Sequence, residues 1–372
     1  MSSSKSNLQT SWLDNIKPAY TDGDANYLTE KKELLPGIYT GLENHVYHQL
    51  DAYSSSLIKV IAKDTPAHAY REFFSDIERK RTITQTRTFD TGTLGHELIL
   101  EPDGFYTRYF RLPLPCDFKD SLITGKQLSA KCKALNLTVS GSKKELTERL
   151  LKADPNIAIY DNIIEKLIIK EAGLKAFELA KQYVIDKKEK TILKSLEAEE
   201  IQKHCKKRPI DGLVWNDAMR ILNTFSKHAR APRFINNGFA ELTVIARCPQ
   251  TGLLLKCRFD YLTKMAIASD VKTTRSACPR KFAMQAKDLA YDIQEAFYKY
   301  VANLANIPVN HFGFISIEYL NADICELFEI SQQRQSKAQT TMKEALNVLA
   351  ECIDTNNWYG YSKFDEVIVL DW

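Results

Sequence analysis

The apolar residues of this chain keep a helical spacing through most of its first 230 or so positions and then switch to alternation. Residues 1–35 are polar and Ser-rich without a sustained period, and read as a flexible N-terminal arm. In "SSSLIKVIAKDTPAHAYREFF", Ser54 to Ser56 offer N-caps before Leu57, Ile58 and Ile61, and Pro66 opens a further turn or helix. "TFDTGTLGHELILEP" predicts a glycine-relaxed entry into a helix that Pro102 stops, and "RLPLPCDF" reads as a connector. Next come two short helices, one with a stripe of Leu128, Cys132 and Leu135, the other marked by Leu146 and Leu150 and capped by Ser142. A Lys/Glu-rich helical stretch runs to Lys206, and "VWNDAMRILNTFSKHA" adds one more helix.

Alternation begins at "ELTVIARC". With the turn "PQTG", "LLLKCRFDYL" and "MAIASDVKTT", it predicts an antiparallel meander. Leu253, Leu255, Cys257 and Phe259 share one face of the second strand, and Lys256, Arg258 and Asp260 the other. "PRKFAMQAKDLAYDIQEAFYKYVANLA" reads as one continuous helix with Leu289, Ile293, Ala296, Phe297, Tyr300 and Leu304 as its apolar stripe. A hairpin of "HFGFISIEYL" and "ICELFEI" and a last helix complete the pattern. The fold class is therefore α/β, an α+β mixed sheet flanked by helices.

Composition narrows the setting. Of the 372 residues, 44% are apolar and 26% charged, as in a globular protein; no apolar run nears the ~20 residues of a membrane span. The opening "MSSSKSNLQTSW" lacks the order of a signal peptide, so the expected location is cytoplasmic, with no membrane partner. None of the eight cysteines stands in a C-x-x-C pair, which disfavours zinc-ribbon and iron–sulfur chemistry and predicts reduced thiols. Residues 119–208 hold 20 Lys and Arg against 13 Asp and Glu, leaving the remainder slightly acidic. That distribution suits either a polyanion-facing segment or a solvated Lys-rich helical region.

The chemistry collects around "SDVKTT". Asp270 and Lys272 are two apart, so on a strand they share a face; Asp260 ends one strand and Asp270 ends the next after a short turn. Paired carboxylates at one sheet edge are hard oxygen ligands for Mg²⁺ or Mn²⁺, and a lysine beside them can steady an anion or help activate water. The alternative is a plain edge ion pair. Glu241 opens the first strand of the meander as a further acid; Tyr291, Gln294 and Tyr298 form a polar stripe on the next helix; His96 lies upstream among small residues.

Taken in order, Gly92 to His96, Asp260, Asp270-Val271-Lys272 and Gln294 to Tyr298 resemble the PDDEXK nuclease superfamily in its RecB-like form, with a restriction-endonuclease-like core. The closer resemblance is to the RecE-type exonuclease VIII family. It is carried by "PGIYTGLENHVYH", "SSSLIKVIAKDTPAHAY", "FDTGTLGHELILEP", "AELTVIARCPQTGLLLKCRFDYL", "SDVKTT" and "YDIQEAFY". It implies 5′-to-3′ digestion of linear double-stranded DNA in phage-type recombination. Mg²⁺ (or Mn²⁺) would be held by His96, Asp260, Asp270 and the Val271 carbonyl, with Lys272 catalytic and Glu241, Gln294 and Tyr298 in support. It also implies a ring-shaped homo-oligomer and a single-strand annealing protein as partner. Arg87, Arg275, Arg280 and Lys281 are near the motifs and are equal candidates for holding a 5′-phosphate.

The interval between His96 and Glu241 departs from the family spacing. Within it, "LSAKCKALNLTVSGSKKELTERL" resembles a SAP motif, a small helical DNA-binding module, with Asn136 where glycine is usual. This implies phosphate contacts from Lys143, Lys144 and Arg149; the other reading is an amphipathic hairpin packed on the nuclease. The resulting organisation is an arm (1–35), a first nuclease part (36–118), a SAP-like insertion (119–153), a basic helical connector (154–208) and the catalytic core (209–372). A restriction-type or structure-specific endonuclease on the same core, and a non-catalytic DNA-binding scaffold, are the competing readings.

Overall fold

A computed structural model describes residues 11–75, 83–187, 192–196, 198–364 and 366–370; side chains at 11, 83–90, 187, 193, 194 and 199 are not described. The chain divides into two units, residues 1–100 with 220–372, and residues 101–219.

The first unit is built on a seven-stranded mixed sheet. Its strands are β1 (Ile16–Pro18), β2 (Gly37–Thr40), β3 (Gly238–Arg247), β4 (Leu254–Thr263), β5 (Ile267–Thr274), β6 (His311–Glu318) and β7 (Ile324–Phe328), and they lie side by side in that order. β3, β4 and β5 form the antiparallel meander, as the alternation predicts. β6 then pairs parallel to β5, which requires a crossover. The crossover consists of α3 (Pro279–Asp288) and α4 (Tyr291–Leu304); α1 (Ser55–Lys63) and α2 (Ile83–Leu100) precede the meander and α5 (Gln332–Thr355) follows β7.

The two sheet faces carry separate cores. Leu255, Cys257 and Phe259 of β4 pack with Ile58 of α1, Phe297 of α4 and Leu349 of α5. Val271 of β5 turns the opposite way and packs with Ile99, Leu100 and Ile221. The period of two thus sends Asp270 and Val271 into different surroundings.

Three expectations are corrected. The arm is not loose over its described part: Trp12 is fully buried, β1 joins the sheet beside β2, and Ala19 and Tyr27 enter a core with Tyr39. Few apolar residues at irregular spacing carry that packing, so no period announces it. The long crossover helix is broken at Leu289–Ala290, where Ala290 adopts φ +49 and Leu289 is exposed. The glycines of "TGTLGHE" lie inside α2 rather than at its start.

The second unit carries two apolar clusters. Helices Gly125–Ala134 and Lys143–Ala153 each begin with a capping box, Thr124 with Gln127 and Ser142 with Glu145. They enclose Leu128, Cys132, Leu146, Leu150 and Ile159, while Leu135, expected on the stripe, is exposed just past the helix end. Asn136 takes the left-handed conformation (φ +54), which asparagine tolerates in place of glycine. The segment read as a connector builds a core of its own, with Tyr160, Ile164 and Ile168 against Phe177 and Phe110. All eight cysteines are free, Cys116 and Cys278 being exposed. No helix among the described residues is long and apolar enough to cross a membrane.

Candidate active site

The site forms where β4 and β5 part. The strands pair at Tyr261↔Ser269 and Leu262↔Ala268. Beyond that, the Asp260 side chain fills the gap: its Oδ2 accepts the Val271 N–H at 2.7 Å. Both aspartates therefore lie inside their strands rather than at the ends.

α2 brings the histidine. A Cβ on Gly92 would stand 2.7 Å from Thr273 Oγ1, and one on Gly95 would stand 2.6 Å from Ile221 Cδ1, so glycine lets α2 sit this close without displacing either side chain. One turn beyond Gly92, His96 Nε2 lies 2.8 Å from Asp260 Oδ2, and Nδ1 lies 3.9 Å from Glu241 Oε1. Glu241 holds φ +51 in the middle of β3, a strained conformation for a side-chain-bearing residue. Arg258 anchors its other oxygen, Oε2, at 3.5 Å. Donor atoms of His96, Glu241 and Asp260 all lie within 4.8 Å of one another.

Asp270 sits on the other side of the parting. Gln294 Nε2 donates to its Oδ1 at 2.6 Å. Lys272 Nζ pairs with Oδ2 at 2.6 Å, so each oxygen of this buried carboxylate has one partner. The Lys272 ammonium stands 5.0 Å above the Tyr291 ring, which stacks on Phe314 and whose hydroxyl accepts from Gln285 at 3.1 Å.

The charges adjust to one another. Burial opposes a charged His96, yet the Asp260 carboxylate, helped by Glu241 and Asp270, lifts its pKa to about 9. Burial works against the Asp260 carboxylate too, but His96 and Lys272 hold it below its ordinary value. Asp270 goes the other way: burial raises it and Asp260 adds to the effect, outweighing Lys272. Lys272 is raised in spite of burial because Asp270 and Asp260 face it.

A divalent cation fits this donor set. Hard carboxylate oxygens and one imidazole, with donor atoms of His96, Glu241 and Asp260 already converging, suit Mg²⁺ or Mn²⁺. The close triplet contains Glu241, read from sequence as a supporting acid, whereas Asp270 lies outside it, bound to Gln294 and Lys272. Val271 contributes its N–H to Asp260 and its side chain to the core. Tyr298 packs by its ring, edge-on to Phe259 and Phe312.

The proposed phosphate contacts are more scattered. Arg275, Arg280 and Lys281 are exposed, and the Arg87 side chain lies outside the described residues. In the second unit Lys143 is paired with Asp161 at 2.5 Å and Arg149 is turned to the carbonyls of Thr138 and Ser140, while Lys144 projects to solvent with Glu148 at 3.9 Å. Sequence reading missed Lys59, half-buried on α1 near Lys272, and the buried Lys256, whose ammonium donates to the Tyr47 and Leu50 carbonyls. No local pattern marks Lys59 apart from the surface lysines of an amphipathic helix.

The mixed sheet, the parted strands and the Asp260/Asp270/Lys272 set define a PDDEXK-like core. Residues 171–367 match the family described as "PDDEXK-like domain of unknown function (DUF3799)", and the chain belongs to that family. A solved structure from Eubacterium rectale, described as "Putative exonuclease", is 12% identical, with 53% of this chain and 77% of that one covered and a TM-score of 0.35. The solved structure of SSO0001 is 13% identical over 46% of this chain and 71% of that one, with a TM-score of 0.23. No curated protein matches the chain.

Proposed function

We propose that this protein is a Mg²⁺-dependent exodeoxyribonuclease that digests linear double-stranded DNA from 5′ to 3′ and leaves 3′ single strands for recombination. The observation that carries the hydrolytic part is the meeting of His96, Glu241, Asp260, Asp270 and Lys272 where β4 and β5 separate. Membership of a PDDEXK-like family supports it. His96, Asp260, Asp270 and the Val271 carbonyl would hold the ion, with Glu241 close enough to join or replace one of them. When bound, the ion would polarise the phosphodiester and lower the pKa of water. Lys272, kept charged by two carboxylates, steadies the attacking water or the developing anion; Gln294 orients Asp270.

Polarity, the DNA-end requirement, the ring-shaped homo-oligomer, the annealing partner and a cytoplasmic location rest on the resemblance of the sequence to RecE-type nucleases. The SAP-like hairpin would add phosphate contacts through Lys144, with Lys143 and Arg149 first having to leave their present partners. The test is digestion of end-labelled linear and closed circular DNA with Mg²⁺ and with EDTA. Loss of the linear substrate only, abolished by EDTA, is the expected result. Cutting of the circle favours an endonuclease on the same core, and an intact linear duplex with Mg²⁺ present leaves the DNA-binding scaffold.

A further inference from the structure

A second cluster of cations lies away from the metal donors. Lys63 at the end of α1, Lys287 in the last turn of α3, and Arg334 and Lys337 of α5 line a cavity of about 90 Å³ beside the break between α3 and α4. Asp292 is the one carboxylate in the lining, and Arg334 engages it at 2.6 Å. Lys63 is turned to the Asp288 carbonyl, and neither Lys287 nor Lys337 has an ion-pair partner among the described residues. Four cations against one acid leave a local positive potential that an anion would relieve.

The cluster is continuous with the proposed active site through α1. Lys59 is one turn before Lys63, so the two share a face, about 6 Å apart along the axis. Lys59 is half-buried, has no ion-pair partner among the described residues, and faces the charges of Lys272, Asp270 and Lys63. Burial and the neighbouring Lys272 charge, only partly offset by Asp270, press its pKa down to about 8, the behaviour of a cation short of counter-charge. Positive groups therefore run from Lys272 through Lys59 and Lys63 to Lys287 and Lys337.

We propose that the pocket of Lys63, Lys287, Arg334 and Lys337 binds a backbone phosphate of the nucleic acid, away from the bond that is cut, and that Lys59 continues this track to the metal site. The proposal deepens the nuclease reading and rests on it. It differs from the sequence-derived candidates for a 5′-phosphate, none of which lines this cavity.

The test uses the double variant Lys287→Gln/Lys337→Gln. Both residues are exposed and lie outside the catalytic set, so the fold should persist. Binding of a short labelled duplex is followed by fluorescence anisotropy with Ca²⁺ in place of Mg²⁺, across ~50–200 mM salt. The expected result is affinity on the order of 3- to 10-fold weaker at low salt, equally for unrelated sequences, and a log–log salt slope flatter by about 1. Mg²⁺-dependent cleavage at saturating DNA should be unchanged. If the variant keeps the wild-type affinity and slope while the wild type digests DNA, the pocket assignment is overturned and the nuclease reading stands. A wild type that neither binds nor digests DNA overturns both. If inorganic phosphate binds the wild type but not the variant, and duplex binding is equal in the two, the pocket is a small-anion site and the nucleic-acid assignment is overturned.

Discussion

Asp260 Oδ2 receives the Val271 N–H at 2.7 Å and the His96 imidazole at 2.8 Å, so one carboxylate oxygen joins the parted strand to the helix above it. Without the carboxylate, a partly buried N–H and a half-buried imidazole both lose their charged acceptor. Asp260→Asn keeps the shape and removes the charge. The expected outcome is Mn²⁺ affinity weaker by at least the 10- to 100-fold typical of a lost supporting group. Calorimetric titration of the purified variant checks this, with circular dichroism to show that the fold is retained.

Lys272 and Asp270 are each other's nearest charge, and Asp270 is raised by burial even with Lys272 present. Lys272→Met therefore leaves a buried carboxyl that protonates more readily, as well as losing the cation at the reaction centre. Cleavage should fall by about 10²- to 10⁴-fold, the usual range for a proton-handling or charge-stabilising group, while duplex binding in Ca²⁺ changes far less. Single-turnover digestion beside anisotropy separates the two effects. A Lys272→Met protein that cuts as fast as wild type removes Lys272 from the mechanism.

The glycine of the G-x-x-x-H pattern has a steric reason that can be tested by rescue. In Gly92→Ala the new methyl would stand 2.7 Å from Thr273 Oγ1 but 3.8 Å from Thr273 Cβ. Either the Thr273 hydroxyl rotates away or α2 retreats, taking His96 with it, at a cost of up to about 1–3 kcal/mol. Adding Thr273→Ala removes the offending oxygen and leaves an ordinary contact. Urea denaturation should show the double variant recovering most of the loss, and metal affinity should return with it.

Much of this was legible in the chain, and the misses have a common origin. Alternation around Leu255, Cys257 and Phe259 announced β4 and its inward face because one side of the strand meets a helix layer. D-x-K announced a shared face because the pleat fixes it. Glu241 was visible as an acid, but not its left-handed backbone or its place within 4.8 Å of His96 and Asp260, which only the pairing of β3 with β4 creates. The break at Ala290 lay within a helical period, and no Gly or Pro marks it. Lys59 looked like any surface lysine of an amphipathic helix, since burial against a neighbouring element is not a local property.

His96 gives the metal-free protein a pH signature. Its folded pKa of about 9 exceeds the ordinary 6.5, so its contribution to stability is fully present below about pH 6.5 and lost as pH rises through about 9. Asp260, lowered in the fold, contributes above its ordinary 3.8 and loses that contribution as pH falls through the lowered value. Thermal unfolding in EDTA should show Tm declining between pH 6.5 and 9, and His96→Ala should flatten that limb. A cation needs the neutral imidazole, so Mn²⁺ affinity should rise over the same interval.

Trp12 tests whether the N-terminal segment belongs to the folded unit. Its ring is fully buried, 6.2 Å from Phe239 in an edge-on contact, and its Nε1–H is buried with no acceptor among the described residues. Trp12→Ala should cost about 3–5 kcal/mol, as large aromatic deletions in cores do. Trp12→Phe loses part of the packed area but also removes the unpaired donor, whose burial costs about 1–3 kcal/mol. The phenylalanine variant should therefore stay within about 1–2 kcal/mol of wild type, and the two substitutions should separate clearly in urea midpoint. Equal and small effects would mean that residues near Trp12 do not pack on the sheet in solution. A large loss in both would mean that the indole shape, rather than apolar area, holds the segment in place.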